Sequence, residues 1–359
     1  MKNIYFYILN PNDFQEFNST IVELIRSSIE CNIKIIILDI TSKKRPLECY
    51  SEKELDDFYQ NLKIKNENIF NSSVLTVKKF NFKDNDIAEF FELQEKFKPT
   101  LIFRRNYPNK NLMWLLPDLK SKTVLFLWEI NECYQYRDDY LLAICRYPYM
   151  ISNLKNTSIK VYENLRYPGE KHVFHISKNI IDFCKNNKTC FISETWARNQ
   201  NEKETCIKEL NFHLKIIKSK NIKISWKSRE KYNKREKQYS LTESLQSNFD
   251  LIITKDINYP SSLMYLMANS DFCIVINTTS VLHDAIKLNR NTFHYIQSDY
   301  DKKYIKRLKD VHGKELHKIR NIQDVHNIDI KDLIINKLFL TSNSSRKLLD
   351  DLNFLLLGV

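Results

Sequence analysis

Short apolar runs alternate with helical periodicity along the first half of the chain. Ile4 to Leu9 reads as a strand, Asp13 to Cys31 as a helix and Ile33 to Asp39 as a second strand, a βαβ opening. Ser73 to Lys78, Thr100 to Phe103 and Thr123 to Trp128 read as further strands, with helical stretches at Glu52 to Leu62 and Ile87 to Lys96. Strands that alternate with helices are joined by crossovers, so the pattern predicts a parallel sheet covered on both faces.

Periodicity fades between Tyr147 and Gly169, where Pro148, Asn153, Asn156 and Pro168 collect, and a domain boundary is expected there. A second series follows, with strands at Thr189 to Ser193, Ile222 to Trp226, Leu251 to Thr254, Phe272 to Ile276 and Thr292 to Ile296. Helices are expected at Glu202 to Lys218, Ser261 to Ala268 and Ser280 to Leu288. The predicted fold class is therefore α/β with two Rossmann-like domains, residues 1–165 and 166–340, and a C-terminal helix at 341–359 that packs back or lies peripheral. Two short helices are read within Ile328 to Leu355, with an apolar stripe at Leu348, Leu349, Leu352, Leu355 and Leu356. Such a stripe ordinarily packs on a domain; contact with a membrane or a partner is the alternative.

A length of 359 residues suits two domains, and 43% hydrophobic residues with 21 Phe and 19 Tyr supply ample core. No run of about 18 apolar residues occurs, and Ile4 to Leu9 is too short for a secretory segment, so a cytoplasmic protein is expected. The eight cysteines form no CxxC and no zinc spacing, which favours reduced, buried thiols. A net charge of +12 suits nucleic acid, an anionic membrane or an anionic substrate without choosing among them. The basic clusters at Lys227 to Lys237 and Lys302 to Lys309 are interleaved with acids and read first as solvated faces. The chain has only three glycines, Gly169, Gly313 and Gly358, which excludes a P-loop and a GxGxxG fingerprint.

The most informative segment runs from Asp271 to Ile296. An apolar strand leads into Asn277, Thr278, Thr279 and Ser280, and a helix then turns Val281, Leu282, Ala285, Ile286 and Leu288 inward. Hydroxyls and unpaired amides meet at a helix N-terminus, an arrangement that binds a diphosphate without glycine; a simple N-cap would use one of these hydroxyls. A second strand, ending at Trp226, delivers Lys227 and Arg229, two cations suited to an anionic leaving group.

The Asp271 to Ile296 segment resembles the strand, hydroxyl turn and helix of the C-terminal domain in GT-B glycosyltransferases. The resemblance is to enzymes of bacterial capsule and lipopolysaccharide synthesis, and more distantly to CDP-glycerol glycerophosphotransferases. It covers about 25 to 40 residues by motif and the whole chain by architecture. It implies two Rossmann-like domains facing a central cleft, with Asn277, Thr278, Thr279, Ser280, Lys227 and Arg229 on the donor phosphate. The His-Pro pair common at the end of the Lys227 strand in those families is missing. Ser193, Glu194 and Arg198 would face the cleft, as would Arg104 in the first domain. Arg104 and Arg105 would hold an acidic acceptor or pair with Glu129 or Glu132. Glu129, with Asp139 or Asp138 behind it, would be the base that deprotonates the acceptor hydroxyl.

The implied donor is a CMP- or UDP-linked sugar, and the acceptor a glycan or lipid-linked glycan reached from the inner face of the membrane. No cofactor and no metal are expected, since His172 and His175 have no carboxylate partners at ligand spacing. His283 and His294 read as packing residues. A CDP-polyol phosphotransferase, a sugar epimerase of the same two-domain shape and a non-catalytic basic nucleic-acid-binding protein are the competing readings. The last explains the charge but not the hydroxyl turn.

Overall fold

In the computed structural model of the chain, the residues described are 2–8, 11–27, 30–39, 75–81, 86–105, 120–127, 140–145, 159–162, 176–194, 197, 199–228, 239–253, 261–277, 280–288, 291–296, 302–303, 306, 320–329 and 344–357. The chain divides into two compact units, Met1–Val173 together with Leu340–Val359, and Phe174–Phe339.

The first unit is built on β1 (Lys2–Ile8), α1 (Pro11–Arg26), β2 (Cys31–Asp39), β3 (Leu75–Asn81), α2 (Asp86–Lys96), β4 (Leu101–Arg105), β5 (Thr123–Leu127), β6 (Leu142–Cys145) and β7 (Ile159–Val161). Its seven strands lie in the order β3-β2-β1-β4-β5-β6-β7, and every pair is parallel. Ile4 to Ile8 are all buried, which is why this strand reads as a continuous apolar run. On one face Phe6 stacks on Phe103 with ring centroids 4.5 Å apart, and Phe17 of α1 meets Phe126 edge-on at 4.8 Å. On the other face Tyr5 and Tyr7 pack with Phe90 and Leu93 of α2. Their hydroxyls are satisfied there: Tyr5 donates to the Phe97 carbonyl at 2.6 Å, and Gln94 donates to Tyr7 at 2.9 Å.

The C-terminal helix, Ser344–Leu357, belongs to this first unit. Leu348, Leu349 and Leu352 join the core that holds Phe17, Ile21 and Leu24, and the Tyr162 hydroxyl donates to Asp351 at 2.6 Å. Those three leucines of the stripe are thus spent on packing; the side chains of Leu355 and Leu356 lie outside the described residues. No helix among the described residues is long and apolar enough to cross a membrane.

The second unit contains α3 (Lys178–Asn186), β8 (Thr189–Ser193), α4 (Gln200–Ser219), β9 (Lys223–Lys227), α5 (Thr242–Leu245), β10 (Leu251–Ile253), α6 (Ser261–Asn269), β11 (Phe272–Ile276), α7 (Ser280–Leu288), β12 (Thr292–Tyr295) and β13 (Arg320–Asn321), followed by a 3₁₀ turn at Ile322–Asn327. Its six strands, again all parallel, lie in the order β10-β9-β8-β11-β12-β13. Trp226 is fully buried, stacks on Phe249 at 4.3 Å and donates its indole N–H to Thr242 at 2.9 Å.

In both units the first strand lies centrally, the second and third extend to one side and the fourth onward to the other. That is the Rossmann order, and ligands of such sheets bind at the carboxyl ends beside the reversal. The reversal falls between β1 and β4 in the first unit and between β8 and β11 in the second. Five labelled elements add to the sequence-based expectation: β6, β7, α3, α5 and β13. The strand β7 lies inside the stretch read as aperiodic, and its three residues are too few to set a period. The helix expected at Glu52 to Leu62 lies outside the described residues.

Candidate functional site

β11 is a five-residue run buried on both faces, and it ends at Asn277, whose φ of 52° is left-handed. Asparagine tolerates that conformation where a β-branched residue does not, so the chain can bend sharply from the sheet into α7. Both backbone polar groups of Asn277 are held. Its N–H donates to the Tyr295 carbonyl at 2.7 Å, and its carbonyl accepts from His294 Nε2 at 2.9 Å. Since a carbonyl only accepts, His294 carries its proton on Nε2.

α7 is fixed from below by buried Leu282, Ala285 and Leu288, and the Thr292 hydroxyl donates to the Ala285 carbonyl at 3.1 Å. Its amino end therefore opens at the carboxyl edge of the sheet, beside the β8/β11 reversal, where the first-turn amides of a helix and its dipole favour an anion. Ser280 begins the helix; its side chain, together with Thr278 and Thr279, lies outside the described residues.

The neighbouring strand ends are knitted together. Glu194 N–H donates to the Lys227 carbonyl at 3.0 Å and Ser228 N–H to the Ile253 carbonyl at 3.0 Å, which joins the ends of β8, β9 and β10. Lys227 is partly exposed at the end of β9, where its Nζ donates to the Ser228 carbonyl at 3.0 Å. Lys227 and Asn277 thus share one carboxyl edge, with β8 between their strands; Lys227 lies level with Ser193 and Val275, and Asn277 two residues beyond. Arg229 and Arg198 lie outside the described residues.

Glu194, expected from sequence to face a ligand, is buried, as is Ser193 before it. One oxygen of the Glu194 carboxylate accepts from the Ser240 hydroxyl at 2.8 Å and from the Leu241 and Thr242 N–H groups at 2.6 and 3.3 Å; the other accepts from the Thr242 hydroxyl at 2.7 Å. This carboxylate caps the entry to α5 and holds the Ser240 to Thr242 segment against the ends of β8 and β9.

At the carboxyl edge of the first unit, Arg104 donates to the Tyr140 hydroxyl and lies 5.1 Å from the centre of that ring. Arg105 pairs with Asp13 at 3.7 Å, and Asp13 is fully buried in the first turn of α1. Glu129 and Glu132, the partners expected from sequence, lie outside the described residues, as do Asp138 and Asp139. Asp13 escaped sequence reasoning, although an acid in the first turn after the first strand of a Rossmann unit, beside the reversal, is a legible signal.

Six cysteines, at positions 31, 145, 184, 190, 206 and 273, are buried without disulfides. Burial pushes the Cys190 thiol above its usual range, with Cys273 and Asp271 adding to the effect, which disfavours the thiolate. No group of three or more His, Cys, Asp or Glu suited to a metal ion occurs among the described residues, and His172 and His175 are outside them.

Two parallel sheets of Rossmann order, each with helices, place the chain in the two-domain α/β fold of the GT-B class. No protein-family model and no curated protein matches the sequence. Solved structures do match it along its whole length. The S. aureus MnaA structure with UDP is 11% identical with a TM-score of 0.60, covering 100% of this chain and 98% of its own. The UDP-GlcNAc 2-epimerase of Methanocaldococcus jannaschii, in complex with UDP-GlcNAc and UDP, is 15% identical with a TM-score of 0.56 and 98% and 99% coverage. The Neisseria meningitidis UDP-GlcNAc 2-epimerase bound to UDP-GlcNAc is 12% identical with a TM-score of 0.55 and the same coverage. At these identities the likeness establishes the shared fold.

Proposed function

We propose that this chain is a nucleotide-sugar enzyme that takes a UDP-linked donor at the carboxyl edge of its second sheet. The observation that carries the reading is the left-handed Asn277 at the end of β11, beside the β8/β11 reversal, which in sequence immediately precedes the hydroxyls Thr278, Thr279 and Ser280 and the start of α7. The end-to-end fold likeness to proteins whose structures contain UDP or UDP-GlcNAc supports UDP over CMP.

The reaction proposed is glycosyl transfer to a bacterial cell-surface glycan. The acceptor hydroxyl oxygen bonds to the anomeric carbon while the bond from that carbon to the diphosphate oxygen breaks. The bonding pair leaves with UDP, and the acceptor proton passes to a carboxylate, Glu129 with Asp139 behind it. Lys227, Arg229 and the α7 amides stabilise the charge that grows on the leaving diphosphate. A second reading, inversion at C2 of the donor sugar without any acceptor, is favoured by the same fold likeness, since the M. jannaschii and N. meningitidis structures are of 2-epimerases.

Incubation of the purified protein with UDP-GlcNAc, followed by NMR, separates the two. Transfer gives UDP only when a glycan acceptor is added; epimerisation gives the C2 epimer with none. The nucleotide site itself is tested by thermal unfolding against UDP, GDP, CDP, CMP and dTDP. A shift with UDP that is lost in the Thr279→Ala/Ser280→Ala variant supports the site, and no shift with any nucleotide overturns it.

A further inference from the structure

We propose that His294 is a positioning residue that sets the Asn277 bend for the ligand, a role that rests on the nucleotide reading above. His294 and Asn277 are 4% and 7% exposed, so the hydrogen bond between them is shielded from water. Consecutive residues of β12 hold the bend from two sides, His294 at the carbonyl of Asn277 and Tyr295 at its N–H. The second of these contacts continues the β-ladder and would form at any residue. The first is made by the His294 side chain and depends on a donor at this position.

That side-chain contact matters because φ of 52° is a conformation that asparagine accepts but does not enforce. Without the His294 donor, the buried Asn277 carbonyl loses that hydrogen bond, and the chain relaxes toward ordinary φ. The amides at the start of α7 lie within a few residues of the bend, so their aim follows it. The bracing extends further. The Tyr295 hydroxyl donates to Glu209 of α4, and burial, with Cys206 and Glu209 adding to it, keeps that phenol protonated well above its ordinary range. The bend is therefore tied through β12 to the longest helix among the described residues of its unit.

The test is calorimetric titration of UDP into the full-length protein and its His294→Gln and His294→Leu variants. Glutamine can present an amide N–H where the imidazole presents Nε2–H; leucine keeps the packing and removes the donor. The leucine variant is expected to bind UDP about ten-fold more weakly, with glutamine restoring most of the affinity. Wild-type affinity in the leucine variant, or an equal loss in both, overturns the positioning role and leaves the nucleotide site standing. If the wild-type protein does not bind UDP, the nucleotide reading falls and the positioning role is judged without ligand. Amide exchange at Asn277 should then be faster in the leucine variant than in wild type or glutamine, and equal exchange in all three overturns it. Should the leucine variant fail to fold, the wild-type imidazole decides: a slowly exchanging proton on Nε2 of His294 is required, and a proton on Nδ1 alone overturns the role.

Discussion

His213 Nδ1 and His326 Nε2 face each other at 2.9 Å, joining α4 to the 3₁₀ turn Ile322–Asn327. One ring must donate and the other accept, so the contact holds only while at least one imidazole is neutral. The Phe212 ring lies edge-on to both, at 5.6 and 5.5 Å. Glu209 stands one turn earlier on α4, Lys220 donates to the His326 and Ile328 carbonyls at 2.8 and 3.0 Å, and Asp324 accepts from the Asn321 N–H at 3.0 Å.

Burial, and after it His326, lowers the pKa of His213, with Glu209 opposing. A histidine whose folded pKa lies below its unfolded value leaves the unfolded chain binding more protons, so its contribution to stability is present above about pH 6.5 and is lost as the pH falls below that. Urea unfolding between about pH 7.5 and about pH 5.5 should therefore show stability falling with acid, and less steeply in His213→Gln. Equal slopes in the two proteins would remove the pair as the cause.

The buried Glu194 carboxylate gathers four donors from the short segment of residues 240 to 242. Glu194→Gln replaces an acceptor oxygen by an NH₂ that must face N–H or O–H groups. The expected loss is about 1–3 kcal/mol, read by chemical denaturation. A glutamine variant as stable as wild type would show that the cap contributes nothing.

Much of the fold was legible because parallel strands buried on both faces are plain apolar runs. Thr189 to Ser193, Phe272 to Ile276 and the helix Ser280 to Leu288 lie where the sequence pattern puts them. Ile159–Val161 was not legible, since its neighbour in the sheet and not its own three residues makes it a strand. The site divides in the same way. Asn277 and Lys227 could be placed at strand ends by local pattern, whereas the partners of Glu194 and Arg105 depend on which segments the strand order brings together. The Asp13–Arg105 pair exists because β4 lies beside β1, an adjacency that no local window contains.

The C-terminal helix should be indispensable to the first unit. Leu348→Ala removes a side chain with no exposed surface from the core around Phe17 and is expected to cost about 2–5 kcal/mol. Burial and then the Asp351 carboxylate hold the Tyr162 phenol well above its ordinary range, so it stays a donor at every working pH. Tyr162→Phe should cost about 1.5–3 kcal/mol, the usual range for a hydrogen bond to a charged group. Denaturant midpoints for both variants check this; unchanged midpoints would mean that the helix is an appendage.

The Asn277 bend makes opposite predictions for two substitutions at one position. Glycine reaches φ of 52° without a Cβ penalty, so Asn277→Gly should leave stability within about 1 kcal/mol of wild type. Valine meets the full left-handed penalty, and Asn277→Val should lose at least about 1–2 kcal/mol or straighten the turn. If α7 is aimed at a nucleotide by this bend, the UDP-induced rise in melting temperature should survive in the glycine variant and vanish in the valine variant. Its survival in both would mean that the ligand site does not depend on the left-handed residue, and the anion would then have to be held elsewhere on the carboxyl edge, with Lys227 the first residue to substitute.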